Sequence, residues 1–404
     1  MLDALHDGRY RRLWLAGLCV NVARWMDFLV LGWIVLELTG SPLLVGVAAF
    51  CRSAPMMALG LFAGVLADRF HRGRLMVLVQ SLNLTAALVL ALLFGTGRGG
   101  LLPLVALEAL LGIAWALDFS ARRTVLYTLV GPGRVTNATS LESVAMQGSK
   151  MIGTFAGGLL LARVGASGCY VVLALLYLVA LLLTMWINRR VDLPGSGSVE
   201  SVVASLAAGL REVRTVPAIR AVLIITIIMN ALVFPYQQLM SVFARDVLEV
   251  GPELLGLLVA AEGLGALGGA LLLASWHSLT AHGRVFVGGS LLLAVLVVGF
   301  SLSSWYALSL PLEFAIGLAS SGFGTMQSAI MLLSASERAR GRAMGILSAC
   351  IGTQPLGTLW VGFFASRVGA PAAAAAGAAL ALLLMLPIAI RMAAPAPRPL
   401  DAAH

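Results

Sequence analysis

Long apolar runs are the feature that most constrains how this chain can fold. Each run is long enough, at about 1.5 Å per residue in an α-helix, to cross the roughly 30 Å hydrocarbon core of a bilayer. Of the 404 residues, 60% are hydrophobic and only 11% are charged, which leaves too little polar surface for a soluble protein of this size. We therefore predict an all-α membrane protein with twelve transmembrane spans: 13–38, 43–66, 75–96, 101–121, 138–162, 168–187, 218–242, 253–276, 285–303, 305–332, 343–366 and 371–390.

Basic residues are distributed unevenly between the two sides of this arrangement. About 20 of the 27 Lys and Arg residues lie in loops on the side of both termini, whereas the opposite loops hold Arg98, Arg163, Arg245 and Arg367. The positive-inside rule then predicts a multi-pass protein of the cytoplasmic (inner) membrane with both termini in the cytoplasm. The same distribution explains the net charge of +9 better than a basic patch would, so we predict no nucleic-acid partner.

The two halves of the chain repeat each other. Many of the matches lie at an offset of 204 residues, and the others need only small shifts. The matched pairs include Gly46/Gly256, Arg52/Glu262, Glu108/Glu313, Gly112/Gly317, Gly153/Gly357, Thr154/Thr358 and Gly158/Gly362. We predict a six-helix N-terminal half (1–187), a cytoplasmic linker with an amphipathic helix (188–217), a six-helix C-terminal half (218–391) and a disordered cytoplasmic tail (392–404).

Charged side chains inside the spans are the first candidates for function. Each costs at least roughly 2.5–3.5 kcal/mol at the centre of a membrane helix, so each requires a partner or a hydrated cavity. One interpretation is a set of structural ion pairs; the other is that surplus, partly desolvated carboxyl groups carry protons. Asp118, near the end of span 4, is expected to be solvated. The candidates within the spans are Asp27, Glu108, Glu142, Glu262, Glu313, Arg24, Arg52 and Lys150.

Metal and cofactor chemistry is not predicted. Four cysteines fall inside apolar runs without C-x-x-C spacing, and the histidines fall in loops or tails. No nucleotide-binding loop or catalytic triad is recognisable, so neither an ATP-driven pump nor an enzyme is expected.

The loop between spans 2 and 3 carries a family signature. It reads GVLADRFHRGR over residues 64–74 and resembles the G-x-L-A-D-R-x-x-R-R loop of the major facilitator superfamily. The matching residues are Gly64, Leu66, Ala67, Asp68, Arg69, Arg72 and Arg74. The resemblance implies two pseudo-symmetric six-helix halves with a substrate site near the midplane. It also implies that Asp68 closes a cytoplasmic gate by docking at the Met344–Gly345 end of span 11.

Two further stretches narrow the resemblance. Span 5 is similar to the G-x-x-x-G-P-x-x-G-G signature of antiporters, although Thr154 stands in place of the proline. The run W-x-V-L-E-L-T-G-S-P at residues 33–42 resembles the branch of enterobactin exporters and macrolide efflux proteins, which implies export of small amphipathic compounds. The span 5 glycines are Gly148, Gly153, Gly157 and Gly158, and the candidates for a substrate cavity are Trp25, Phe28, Trp115, Tyr236, Gln237 and Gln238. Aromatic residues that face lipid or the core are the alternative.

The resemblance also pairs two of the intramembrane charges. In the fold that this chain resembles, spans 5 and 8 pack against each other, so Lys150 and Glu262 are expected to form an ion pair between the halves. The simpler alternative is that Glu262 faces the cavity alone and binds substrate. The remaining charges, Arg52, Asp27, Arg24 and Glu108, are expected to form a separate group in the first half.

These patterns together predict a secondary active transporter that works by alternating access. We expect proton-coupled export of a drug-like or siderophore-like compound, so the partners are a small molecule, protons and the lipid bilayer. An importer or facilitator of a metabolite is an alternative. A receptor or scaffold that kept the fold is another, and the complete Asp68 loop argues against it.

Overall fold

All regular structure in the described part of the chain is helical, which confirms the all-α class. The computed structural model describes residues 3–69, 71–130, 135–190, 216–275, 282–335 and 340–393. Most of the predicted linker and of the predicted tail lies outside these ranges, so the amphipathic helix and the disordered tail stay predictions.

The described helices follow the order of the predicted spans and are numbered like them. They are α1 Gly8–Thr39, α2 Pro42–Arg69, α3 Arg72–Gly95, α4 Leu101–Val130, α5 (135–164), α6 (166–190), α7 Pro217–Val247, α8 Pro252–Ser275, α9 His282–Ser301, α10 Tyr306–Ser334, α11 (Arg340–Ile351 and Gln354–Val368) and α12 Ala370–Ala393. α5 and α6 are two helices that meet at Gly165, whose φ of 66° and ψ of −173° are not helical. Glycine adopts this conformation without the steric cost that a side chain would add.

Ten described helices are long and apolar enough to cross a membrane, which establishes a multi-pass membrane protein. The stretch Val144–Arg189, which contains most of α5 and α6, counts once in this number. α2 is not among the ten, because its described apolar part, Pro42–Met57, is shorter. The full count of twelve crossings therefore stays a prediction.

Most helix packing occurs within the first six helices and within the last six. α1 packs on α5, α4 on α2 and α3, and α8 and α9 on α10. α2 contacts α11 and α5 contacts α8, and these two pairs join the halves. We call the end of the bundle where α1 begins the proximal end, and the end where α1 stops the distal end.

The two joints between the halves are crossings of glycines near the distal end. At the crossing of α5 and α8, a Cβ on Gly256 would lie 3.0 Å from Cα of Gly158 and 2.8 Å from the oxygen of Thr154. At the crossing of α2 and α11, a Cβ on Gly46 would lie 3.1 Å from Cα of Gly362 and 2.6 Å from the oxygen of Thr358. Only glycine permits backbones to approach so closely. The repeat pairs these residues with one another, so the two crossings are equivalent.

α7 is the least regular of the described helices. It starts as an α-helix, Pro217–Ile228, and continues as a π-helix, Met229–Val233, and a 3-10 helix, Phe234–Leu239. A second π-helix, Phe243–Val247, ends it. The oxygen of Ala231 accepts a hydrogen bond from Trp360 Nε1 on α11 at 2.5 Å. Helices at membrane depth depart from α geometry mostly where a function requires it.

Candidate functional site

An ion pair joins α5 to α8 in the interior of the bundle. Lys150 Nζ lies 2.8 Å from Glu262 Oε1, and both side chains are buried. Gln237 Nε2 on α7 donates a second hydrogen bond of 2.8 Å to the same oxygen. The ring of Trp25 lies 5.0 Å below Lys150 Nζ, within range of a cation–π interaction. The structure thus contains the expected pair between the halves, and Glu262 does not face a cavity alone in this conformation.

A second carboxyl group, Glu313 on α10, lies beside this pair. The Tyr236 hydroxyl donates a hydrogen bond of 3.1 Å to its Oε2, and its Oε1 is buried without a partner among the described residues. Glu262 and Lys150 both interact with it electrostatically. Tyr236 was expected to line a substrate cavity, but it is buried and positions Glu313 instead.

The expected group of charges in the first half is centred on Arg52. Its Nη1 pairs with Asp27 Oδ2 and lies 2.7 Å from Glu108 Oε2. Each carboxylate keeps one buried oxygen that has no partner in the part of the chain that is described. One guanidinium therefore serves two carboxylates.

Arg24 contacts this group through its backbone. Only its backbone oxygen takes part, as the acceptor for Arg52 Nη2 at 3.2 Å. The guanidinium lies over two indole rings instead, 4.3 Å from the centre of Trp115 and 5.3 Å from that of Trp25. Depth in the membrane can be read from sequence, but the direction of a side chain around its helix cannot.

The two halves place their charges at equivalent positions. A Cβ on Gly112 of α4 would collide with the carbonyl oxygen of Arg52 on α2. A Cβ on Gly317 of α10 would collide in the same way with the carbonyl oxygen of Glu262 on α8. Gly112 lies one turn after Glu108, and Gly317 lies one turn after Glu313. Each glycine therefore lets the helix that carries Arg52 or Glu262 pack closely against the helix that carries Glu108 or Glu313.

Asp118 is buried rather than solvated, contrary to expectation. Arg122, one turn further along α4, pairs with it at 2.9 Å, and Gln80 Nε2 donates a hydrogen bond of 2.9 Å. Asn83 donates to Gln80 and extends the network. Glu142 interacts electrostatically with Arg122 and belongs to this proximal group. In the sequence, the Asp118–Arg122 pair is indicated by the i, i+4 spacing of opposite charges at the end of a helix.

The remaining cavity candidates surround two small pockets. Phe28, Gln237 and Gln238 line a pocket of about 20 Å³ between the halves. Arg24 and Trp115 line another of about 30 Å³ inside the first half. Each volume has room for roughly one or two water molecules. Neither pocket admits an organic substrate in this conformation.

The glycines of α5 have different surroundings. Gly153 and Gly157 pack on α1, where a Cβ would lie 2.5 Å from the oxygen of Val22 and 3.1 Å from Cγ of Met26 respectively. Gly158 packs on α8 as described, whereas a Cβ on Gly148 would meet no atom of another described segment within 4 Å. The antiporter role of these residues stays a prediction.

The gating loop is only partly described. Gly64, Asp68 and Arg69 lie in α2, but their side chains are outside the described set. Arg72 and Arg74 begin α3, where the backbone N–H of Arg74 donates to His71 Nδ1 at 3.4 Å. Docking of Asp68 on α11 therefore stays a prediction.

Solved structures of other proteins share the fold of this chain. A POT family transporter in complex with 5-aminolevulinic acid aligns with a TM-score of 0.78 at 10% identity, over 95% of this chain and 96% of that one. A bacterial homologue of the human lysosomal transporter Spinster, inward-facing and unoccupied, aligns with a TM-score of 0.70 at 14% identity, over 96% and 95%. At these identities the likeness shows the fold alone.

The chain belongs to the transmembrane secretion effector family of the major facilitator superfamily, whose family model matches residues 2–403. The multidrug efflux pump Tap of Mycolicibacterium fortuitum is 26% identical over 88% of this chain and 89% of its own length. The staphyloferrin A transporter of Staphylococcus aureus (strain NCTC 8325 / PS 47) is 23% identical over 86% and 87%. The superfamily resemblance is thereby confirmed, and the relatives are transporters rather than enzymes.

Proposed function

We propose that this chain is a secondary active transporter that exports small amphipathic compounds by alternating access, with protons as the coupling ion. The observation that carries the proposal is the buried Lys150–Glu262 pair, which joins the two halves beside a second carboxyl group, Glu313. The names of the two relatives, an efflux pump and a staphyloferrin A transporter, support a small-molecule substrate.

Alternating access follows from where the halves touch. The positive-inside rule predicts that the proximal end, with its arginine-rich loops, lies in the cytoplasm and that the distal end faces outward. Both glycine crossings lie toward the distal end, and the Lys150–Glu262 pair continues the contact inward. This conformation is therefore closed to the outside, and transport requires the crossings to separate.

A bulky residue at a glycine crossing is expected to open the distal end. Leucine at Gly256 cannot fit against Gly158 and Thr154, and overpacking of this kind costs about 1–3 kcal/mol. A cost of about 1.4 kcal/mol in the closed state raises the population of the open state about tenfold. We expect an impermeant maleimide outside the cell to label a Phe28→Cys reporter about tenfold faster in Gly256→Leu.

The experiment requires a background without Cys19, Cys51, Cys169 and Cys350, which are free thiols. Gly268→Leu is the matched control because it lies on the same helix and a Cβ there would meet only a Leu318 methyl group at 3.9 Å. Equal labelling rates in both variants would show that the crossing is not the outer gate.

Proton coupling follows from the charges beside the crossing. Lys150, Glu262 and Glu313 comprise one basic and two acidic groups, so a single proton makes the trio neutral. A buried charge without compensation is costly, which favours binding of that proton. Protonation of Glu262 removes the ionic part of its bond to Lys150 and loosens the joint between the halves. Glu313 supplies a second proton position beside it.

The proposed function is tested by accumulation of fluorescent amphipathic dyes in cells with and without the protein. We expect the protein to lower the accumulation of at least one dye, and an uncoupler to remove that effect. Glu313→Gln fixes one carboxyl in a neutral form and is expected to reduce export to the level with uncoupler. Glu37→Gln, which changes an exposed glutamate on α1, is the matched control and should export normally.

Two outcomes would contradict the proposal and indicate another function. Lower accumulation that the uncoupler does not affect would indicate a facilitator, and higher accumulation in cells that express the protein would indicate an importer.

A further inference from the structure

Arg24 differs from the other basic residues inside the bundle in making no ion pair in the described part of the chain. Arg52 pairs with Asp27 and Glu108, Lys150 pairs with Glu262, and Arg122 pairs with Asp118. The guanidinium of Arg24 makes no ion pair or hydrogen bond with any described residue; its contacts are the two indole rings. A guanidinium has five N–H donors, and those of Arg24 remain available to a ligand.

The surroundings of Arg24 suit an amphipathic anion. The side chain lines the pocket of about 30 Å³ that α1 shares with α4, and Trp115 lines the same pocket. The rings of Trp25 and Phe28 make a T-shaped contact with their centres 5.7 Å apart, and Phe28 lines the pocket between the halves. A planar cation between aromatic rings recognises carboxylates through paired hydrogen bonds.

The nearby carboxylates do not form hydrogen bonds with the guanidinium of Arg24. Arg24 and Arg52 together balance Asp27 and Glu108 in charge, but both carboxylates point their bonded oxygens at Arg52. Arg24 also attracts Asp118 electrostatically, but that carboxylate is bonded to Arg122 and Gln80, so the donors of Arg24 stay unused. In the second half, Glu262 bonds to Lys150 and Gln237, and Glu313 bonds to Tyr236 through one of its two oxygens.

We propose that Arg24 binds an anionic group of the transported compound, most simply a carboxylate, while Trp115 and Trp25 contact its apolar body. The substrate class is therefore an amphipathic organic acid rather than an organic cation. The inference rests on the proposed function, since it assigns the substrate of that same transporter. The pocket must widen by separation of α1 from α4 before an organic molecule can enter.

Three probes that share one aromatic body test the proposal: pyrenebutyrate, pyrenebutanol and a pyrenebutyl trimethylammonium salt. Binding to the purified full-length protein in a non-ionic detergent is measured by energy transfer from tryptophan to pyrene. A charge-assisted hydrogen bond contributes about 1.5–3 kcal/mol, so the carboxylate should bind roughly 10- to 100-fold more tightly than the alcohol. The ammonium probe should bind no better than the alcohol.

Arg24→Gln should remove the preference for the carboxylate and leave the affinity for the alcohol unchanged, whereas Arg24→Lys should keep part of the preference. Arg12→Gln is the matched control, because Arg12 also lies over an indole, that of Trp186 at 3.7 Å, but does not line the pocket. Equal binding of the three wild-type probes, preference for the ammonium, or a carboxylate preference that survives Arg24→Gln would overturn the proposal.

The first two of these outcomes need no variant, so the test stands even if Arg24→Gln does not fold. The binding measurement also uses no proton gradient. A carboxylate preference without uncoupler-sensitive export would therefore reject the proposed function and retain the anion site, and the reverse result would reject the anion site alone.

Discussion

Replacing Lys150 with glutamine should abolish transport and lower the melting temperature of the purified protein by about 5 °C. Glutamine cannot compensate the charge of Glu262, which stays buried with one amide donor from Gln237. Loss of one partner from a buried ion pair costs about 3–5 kcal/mol because the other charge is left alone. Since the pair joins the two halves, the loss should affect both folding and the change of access.

A double-mutant cycle distinguishes an ion pair between Lys150 and Glu262 from independent roles of the two residues. Lys150→Gln, Glu262→Gln and the double variant are compared in melting temperature and in dye export. We expect the double variant to be more stable than either single one, and the exchanged protein, Lys150→Glu with Glu262→Lys, to recover much of the lost stability. Strictly additive losses without recovery would reject a functional pair.

Arg9→Gln is the control for this cycle. Arg9 pairs with Asp7 at 3.3 Å, but its side chain is 53% exposed. Exposed ion pairs contribute at most about 1 kcal/mol, so this variant should change the melting temperature by no more than about 1 °C.

Alanine at Gly317 or Gly112 should be as damaging as loss of the lysine. A Cβ at Gly317 would lie 2.9 Å from the carbonyl carbon of Glu262, and one at Gly112 would lie 2.9 Å from that of Arg52. Backbone atoms cannot yield as a flexible side chain does, so the helices must separate. We expect a loss of about 3 kcal/mol or more in stability and little export, because separation of α8 from α10 also moves Glu262.

Gly324→Ala is the matched control on α10, since a Cβ there would meet no atom of another described segment within 4 Å. Alanine favours a helix by about 1 kcal/mol over glycine, so this variant should be equally stable or slightly more stable. The measurements are melting temperature and dye export in parallel. If Gly317→Ala has the same melting temperature as Gly324→Ala, the close approach of α8 and α10 does not contribute to stability.

The sequence predicted contacts best for residue types that are rare inside a membrane. Charges within apolar runs are few, so the depths of Lys150 and Glu262 and the packing of a related fold sufficed to pair them. The repeat was equally informative, because glycines at matched positions had to make equivalent contacts. Both arguments depend on position along a helix, which sequence gives directly.

The parts that sequence could not supply depend on direction around a helix and on backbone geometry. Arg24 and Asp27 lie one turn apart, yet one contacts indoles and the other an arginine. Tyr236 and Gln237 are neighbours that bond to different glutamates. Their placement depends on the π and 3-10 turns of α7, which the apolar pattern of that span does not reveal.

These turns have a mechanical consequence. A helix that gains or loses one residue in its register rotates everything beyond that point by about 100°. If the π turn at Met229–Val233 tightened into regular α-helix, Tyr236 and Gln237 would swing away from Glu313 and Glu262 in the same movement. A single rotation of α7 would thus free two carboxyl groups that share no hydrogen bond with each other, and would do so without any change in the helices that carry them.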